Sequence, residues 1–194
     1  MYSYISHVYC ILGFYLVCEV CSDPHTIFKT TNLECYPSSK FVANSTCLVK
    51  AKNWTHATAQ MDCDFIFPIR NISVQLQFFK KGYNNRFHPF LVNVLVNMCD
   101  VMSKKNFTAY GVLMIKILKQ FTNVNHTCPF EGHLMARDLY VRDSDFMMPL
   151  MPFGFYLINL NIYENYANGS FESIGEIKFY FEAMDFIKPK KKKL

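Results

Sequence analysis

The sequence predicts an all-β, antiparallel fold with one helix inserted around residues 108–121. Three observations carry this. Ile72, Val74, Leu76 and Phe78 alternate with Ser73, Gln75 and Gln77, the period of two that gives a strand one dry face and one wet face. Asn168 and Gly169 stand together between two apolar runs, and both residue types tolerate positive φ, so the pair marks a tight hairpin. Tyr110, Leu113, Met114, Ile117, Leu118 and Phe121 recur at three- and four-residue spacing, which places all six on one side of a helix.

In chain order, strands are expected near residues 26–36, 47–52 and 56–67, the last ended by Pro68. The alternating run from Ile72 is joined by the polar turn at residues 80–85 to a Val- and Leu-rich strand at 90–99, interrupted by Asn93 and Asn97. The helix follows, with Thr108 or Asn106 available to cap its start and Lys116, Lys119 and Gln120 facing water. A strand near residues 133–141 and a final pair at 153–163 and 174–184 complete seven or eight strands. No internal repeat is visible.

The chain has 194 residues, half of them hydrophobic and 16% aromatic, which suits one domain with a sizeable core. Residues 1–22 read as a signal peptide. Their apolar stretch, with Ile11, Leu12, Phe14, Tyr15 and Leu16, is too short to span a bilayer and is followed by Val20, Cys21 and Ser22 at the expected cleavage region. Residues 23–187 form the folded domain, and 188–194 are expected to be a basic, disordered tail. No other run approaches a membrane span, so a secreted, extracellular protein is expected.

Glycan acceptors fit that compartment. Asn-x-Ser/Thr occurs at Asn44, Asn53, Asn71, Asn106, Asn125 and Asn168, where chance placement of these residue types yields about 1.5. The eight cysteines divide into Cys10, Cys18 and Cys21 of the leader and Cys35, Cys47, Cys63, Cys99 and Cys128 of the body. An odd number in the body leaves one unpaired; Cys63, between Met61 and Phe65, reads as a buried thiol behaving as a small hydrophobe. Pairing Cys99 with Cys128 would close a loop around the helix worth roughly 3 to 4 kcal/mol, and pairing Cys35 with Cys47 would tie the first strand to the second. Sequence alone leaves the connectivity open.

The net charge of +5 comes from Lys188 and Lys190 to Lys193 in the tail. The body is nearly neutral, so no nucleic-acid-binding surface is expected. The tail suits weak attraction to an anionic surface. For chemistry, the candidates are His126 beside Cys128, and His133 near Glu131. Zinc needs three or four convergent ligands, and no matching Cys/His spacing exists in the body; no nucleophile elbow, phosphate loop or dinucleotide fingerprint occurs. His126 lies inside a glycan acceptor next to a cysteine expected to be bridged. No enzyme, cofactor or metal is therefore expected.

Five stretches taken together resemble a known family. They are residues 31–35 (TNLEC), 47–50 (CLVK) leading to 53–55 (NWT), 87–93 (FHPFLVN) leading to Cys99, 125–130 (NHTCPF), and 152–156 (PFGFY). Their order and spacing resemble the insect family of secreted proteins carrying the domain of unknown function 1091, which includes the CheB-type chemosensory proteins of flies. That family is similar to the MD-2-related lipid-recognition (ML) proteins, such as the GM2 activator. The resemblance implies an immunoglobulin-like antiparallel β-sandwich whose sheets can part around an apolar ligand, without catalysis, and a role in chemosensation such as pheromone response. Asn97 stands where that pattern leads one to expect an acidic residue, and Cys63 and the lysine tail are additions.

Two functional expectations follow. The first is a binding protein for a lipid or another hydrophobic small molecule, with Phe78, Phe90, Leu113, Ile117, Phe121, Phe155, Phe179 and Phe181 lining the pocket and the disulfide-tethered helix as its gate. The alternative is an extracellular accessory protein that acts by contact with a receptor or channel and carries no small-molecule cargo.

Overall fold

The computed structural model describes residues 26–140 and 151–185; the leader at 1–22 and the lysine tail at 188–194 lie outside the described residues. The strands are β1 Thr26–Pro37, β2 Val42–Ala51, β3 Ala57–Phe65, β4 Ile72–Lys81, β5 Phe87–Asn97, β6 His133–Leu139, β7 Gly154–Asn165 and β8 Phe171–Asp185. Two helices lie between β5 and β6: α1 Met98–Met102 and α2 Ala109–Phe121. The fold is thus mostly β, with two sheets and short helices.

One sheet has five strands in the order β1-β8-β7-β4-β5, and the other has three in the order β2-β3-β6. Every register defined between described strands is antiparallel. The period of two in β4 does what its sequence demands. Val74, Leu76 and Phe78 are buried, opposite Ile162, Leu160 and Ile158 of β7, while Gln75 and Gln77 turn to the other side with Asn161 and Asn159. The hairpin at Asn168 and Gly169 forms as expected. Gly169 takes φ +82, and Asn168 Oδ1 accepts from the backbone N–H and the hydroxyl of Ser170.

The core draws on both sheets. Phe28, Leu76, Phe78, Tyr156, Phe179 and Phe181 of the larger sheet pack with Ala59 of the smaller one. A second cluster joins Phe41, Ile69, Val74, Val96, Val101 and Phe130. Tyr156 and Phe181 are fully buried and stack with centroids 5.4 Å apart.

β5 differs from its sequence expectation at both ends. It begins at Phe87 rather than Phe90, and its register against β4 slips between Gln77/Asn93 and Phe79/Pro89. The extra residues are absorbed with Leu91 at φ +58, a bulge that blunts an edge strand. The strand also stops at Asn97, and residues 98–102 turn into α1, because Asn97 Oδ1 accepts from the Asp100 N–H at 3.0 Å and so caps a helix. An apolar run of Val and Leu carries no warning of that cap.

α2 matches its expected place. Thr108 caps it, its hydroxyl accepting from the Gly111 N–H at 3.1 Å. Gly111 is needed there. A Cβ would lie 2.7 Å from Thr108 Oγ1, 2.8 Å from Val101 Cγ2 and 3.1 Å from Val96 Cγ1, so its absence lets the first turn settle on α1 and β5.

Candidate functional site

A cavity of about 340 Å³ opens between the two sheets beneath α2. Its walls follow from the alternation in each strand. β4 supplies Val74, Leu76 and Phe78, and β7 supplies Ile158, Leu160 and Ile162. The facing sheet contributes Cys47 of β2, Met61, Cys63 and Phe65 of β3, and Leu134 and Ala136 of β6. α2 covers one side with Leu113, Met114, Ile117 and Leu118. These four helix residues are only half-buried. Their faces are turned inward, yet the space in front of them is not filled by side chains.

Aromatic side chains share the wall, with Phe65, Phe78, Phe130 and Phe179 lining the space, while others pack beside it. Phe28, Tyr156 and Phe181 fill the interior towards the ends of β1 and β8. The aliphatic stretch of β4, β7 and β8 shares the cavity with Met61 and Ala136 of the smaller sheet. Close-packed interiors leave few voids larger than a water molecule, and a volume in the low hundreds of Å³ lies in the range used for small ligands.

The walls carry little charge. Burial pushes the Cys63 thiol up to about 11, aided by the nearby carboxylates of Asp64 and Asp62, so it stays a neutral thiol near pH 7. Cys63 is the free cysteine among the described residues. Ser45, Asp62 and Glu176 border the cavity, and the two acids have partners. Arg137 donates to both oxygens of Asp62 at 2.6 and 2.7 Å, and Glu176 pairs with Lys178 at 3.0 Å.

Of the eight side chains expected to line a pocket, Phe78, Leu113, Ile117 and Phe179 stand in the cavity wall. The other four are placed elsewhere. Phe181 is fully buried in the aromatic stack, and Phe121 packs edge-on to Tyr140 at 5.7 Å. Phe90 packs edge-on to Tyr156 at 5.7 Å. Phe155 corrects its expectation outright. It is 44% exposed, because Tyr156 pairs with Phe181 on the inner face and alternation sends Phe155 outward opposite Glu182. Sequence reasoning passed over Ile158, Leu160, Met61 and Leu134. The alternation of β7 carried a signal for the first two; the others required knowing which strands face each other.

Two disulfides frame the site. Cys35 of β1 and Cys47 of β2 are bonded across the two sheets, and Cys99 and Cys128 tie the start of α1 to the chain after α2. Cys128 is therefore no nucleophile. His126 beside it is exposed, with Nδ1 2.7 Å from the Thr127 carbonyl and its ring against Phe130. His133 lies with its Nδ1 2.7 Å from Asp64 and its Nε2 3.4 Å from Asp62, on the exposed side of the smaller sheet. Among the described residues no group of His, Cys, Asp and Glu is arranged to hold a metal ion.

Five glycan acceptors, Asn44, Asn53, Asn106, Asn125 and Asn168, are exposed, whereas Asn71 is half-buried. Its Oδ1 accepts from Asn97 Nδ2 at 2.8 Å. Asn97 thus uses both ends of its amide, accepting from Asp100 and donating to Asn71, which an acidic residue at 97 could not do.

No helix of the described residues is long and apolar enough to cross a membrane. No curated protein matches the chain. A family model described as a protein of unknown function (DUF1091) matches residues 74–158, so the segment from β4 through α2, both cysteines of the second disulfide and the first part of β7 is similar to that family.

Proposed function

We propose that this chain is a secreted, non-enzymatic binding protein that holds a lipid or another hydrophobic small molecule between its two sheets. The observation that carries this reading is the cavity of about 340 Å³ with mainly apolar walls and a half-buried helical cover. Burial of a ligand's apolar surface in such a space gains roughly 25 cal/mol per Å² removed from water. The disulfide pairs and the excess of exposed glycan acceptors support an oxidising, extracellular setting.

The reading extends to fold kinship. The arrangement of five antiparallel strands against three, stapled by Cys35 and Cys47, is compatible with an immunoglobulin-like sandwich of the ML kind. The match of residues 74–158 to the DUF1091 model, together with the resemblance to CheB-type insect proteins, supports a hydrophobic chemosensory signal such as a pheromone as cargo. Native mass spectrometry of deglycosylated secreted protein, before and after organic extraction, tests this. A mass increment of small-molecule size that extraction removes is the expected result; protein that shows no increment and takes up no added long-chain lipid overturns it.

A further inference from the structure

The cavity offers a guest no counter-charge. Among the described residues that line it there is no Lys, Arg or His, and the acids are Asp62 and Glu176. Its hydroxyls are already engaged where their partners are defined. The Thr122 hydroxyl donates to the Leu118 carbonyl at 2.7 Å and accepts from the Val124 N–H at 3.1 Å. The Tyr36 hydroxyl donates to Glu34 at 3.0 Å. The Cys63 thiol is half-buried, and burial keeps it protonated. What remains for a guest is contact with apolar side chains such as Val74, Leu76, Ile158 and Leu160.

Two cations lie next to the wall, and each is held by a wall acid. Arg137 donates to both oxygens of Asp62 at 2.6 and 2.7 Å. Lys178 pairs with Glu176 at 3.0 Å, with its Nζ 4.8 Å from the centre of the Tyr36 ring. His133 adds its Nε2 3.4 Å from Asp62. This part of the wall reaches solvent. Tyr36 and Ser45 are exposed, and Thr46, next to Ser45, pairs with Asp62 across β2 and β3. A carboxylate taken into the cavity would lose its water and gain no partner. One halted at this rim would meet two carboxylates whose cations are already taken, and like charges set together are unfavourable.

We infer that the cavity takes an uncharged chain, such as a long-chain alcohol, ester or hydrocarbon, and rejects a fatty-acid carboxylate, with Asp62 and Glu176 enforcing the choice by keeping Arg137 and Lys178 from the guest. This rests on the cavity reading above and names the chemical class of its cargo. A site built for a carboxylate presents Arg or Lys to it in a charge-assisted hydrogen bond; here both candidates are spent on acids of the wall. The volume of about 340 Å³ lies at the low end of the roughly 300–1,000 Å³ of ligand pockets, which suits one chain better than two. Turning the two acids into amides would remove their negative charge and release the guanidinium and the ammonium to attract an anion.

The test is displacement of the uncharged fluorophore N-phenyl-1-naphthylamine from the full secreted chain, stripped of lipid, at neutral pH. The competitors are lauryl alcohol, methyl laurate and laurate, which share one acyl or alkyl chain and differ in charge. The alcohol and the ester are expected to displace the fluorophore, and laurate to do so at least about ten-fold less well. In an Asp62→Asn/Glu176→Gln variant laurate should gain about three-fold, with the alcohol unchanged. Thermal melts establish that the variant folds; should it fail to fold, the wild-type ranking decides alone. Laurate matching the alcohol on the wild type, or no gain for laurate on the folded variant, overturns this inference and leaves the cavity reading standing. If neither the fluorophore nor any of the three chains binds, the cavity reading falls and this inference falls with it.

Discussion

Cys35 and Cys47 are bonded with their Cα atoms 6.2 Å apart, and the bond runs from β1 of the five-stranded sheet to β2 of the three-stranded one. Both sulfurs belong to residues of the cavity wall. The covalent link between the sheets therefore lies in the wall of the space they enclose and limits how far they can separate, while Cys99–Cys128 ties the chain on either side of α2. A Cys35→Ser/Cys47→Ser variant should lose about 3 kcal/mol of stability in the chain-entropy model. Denaturant unfolding of both proteins in oxidising buffer measures it, and an unchanged midpoint would show that the link does not hold the sheets.

Asn71 is the glycan acceptor that should stay bare. Its carboxamide is half-buried and engaged by Asn97, while the other five acceptors are exposed. Glycopeptide mass spectrometry of secreted material should find sugar at the exposed sites and none at Asn71. Replacing Asn97 by Asp keeps the cap on α1 but loses the donor to Asn71, and should cost about 1 kcal/mol.

The outer surface of β3 and β6 should confer acid sensitivity. Hydrogen bonding from Arg137 holds the Asp62 carboxyl below its usual range, and hydrogen bonds from Asn44 and His133 do the same for Asp64. A carboxylate whose folded pKa is depressed stabilises the fold above its unfolded pKa and loses that contribution as pH falls through the folded value. Urea midpoints should therefore fall on acidification below about pH 4. They should fall less steeply in an Asp62→Asn/Asp64→Asn variant, which has no such carboxylates to protonate. Equal slopes would contradict this.

Cys63 should be slow to react. With its thiol raised to about 11 by burial and two acids, the thiolate fraction at pH 8 falls about 100-fold relative to an ordinary cysteine. Iodoacetamide labelling, followed by mass spectrometry, should be slower by at least that factor in the folded protein than in denaturant. Comparable rates would place the thiol in solvent instead.

Much of the fold was legible because its strands obey simple alternation. β4 and the β7–β8 hairpin carry both the period and the turn residues, and α2 carries a six-residue apolar stripe with Thr108 at its start. The cavity was half legible. Phe78 and Phe179 follow from inward alternation, and Leu113 and Ile117 from the helix stripe. Phe155 was misread because ring size was weighed above strand parity; its neighbour Tyr156 takes the inner position. α1 was missed because a single capping amide, Asn97, ends a run that otherwise reads as strand. Met61 and Leu134 share one wall of the cavity through β3–β6 pairing between distant segments, which no local pattern encodes.

The most direct test is a titration of N-phenyl-1-naphthylamine, an apolar fluorophore, into wild-type protein stripped of lipid and into an Ile117→Trp variant. Ile117 stands in the cavity wall on α2, so a larger ring there should take up part of the space. Saturable fluorescence enhancement with the wild type, displaced by a long-chain alcohol and weakened at least about ten-fold in the variant, is the predicted result. No saturable binding by the wild type, or equal binding by a folded variant, would contradict the claim that the space between the sheets holds an apolar guest.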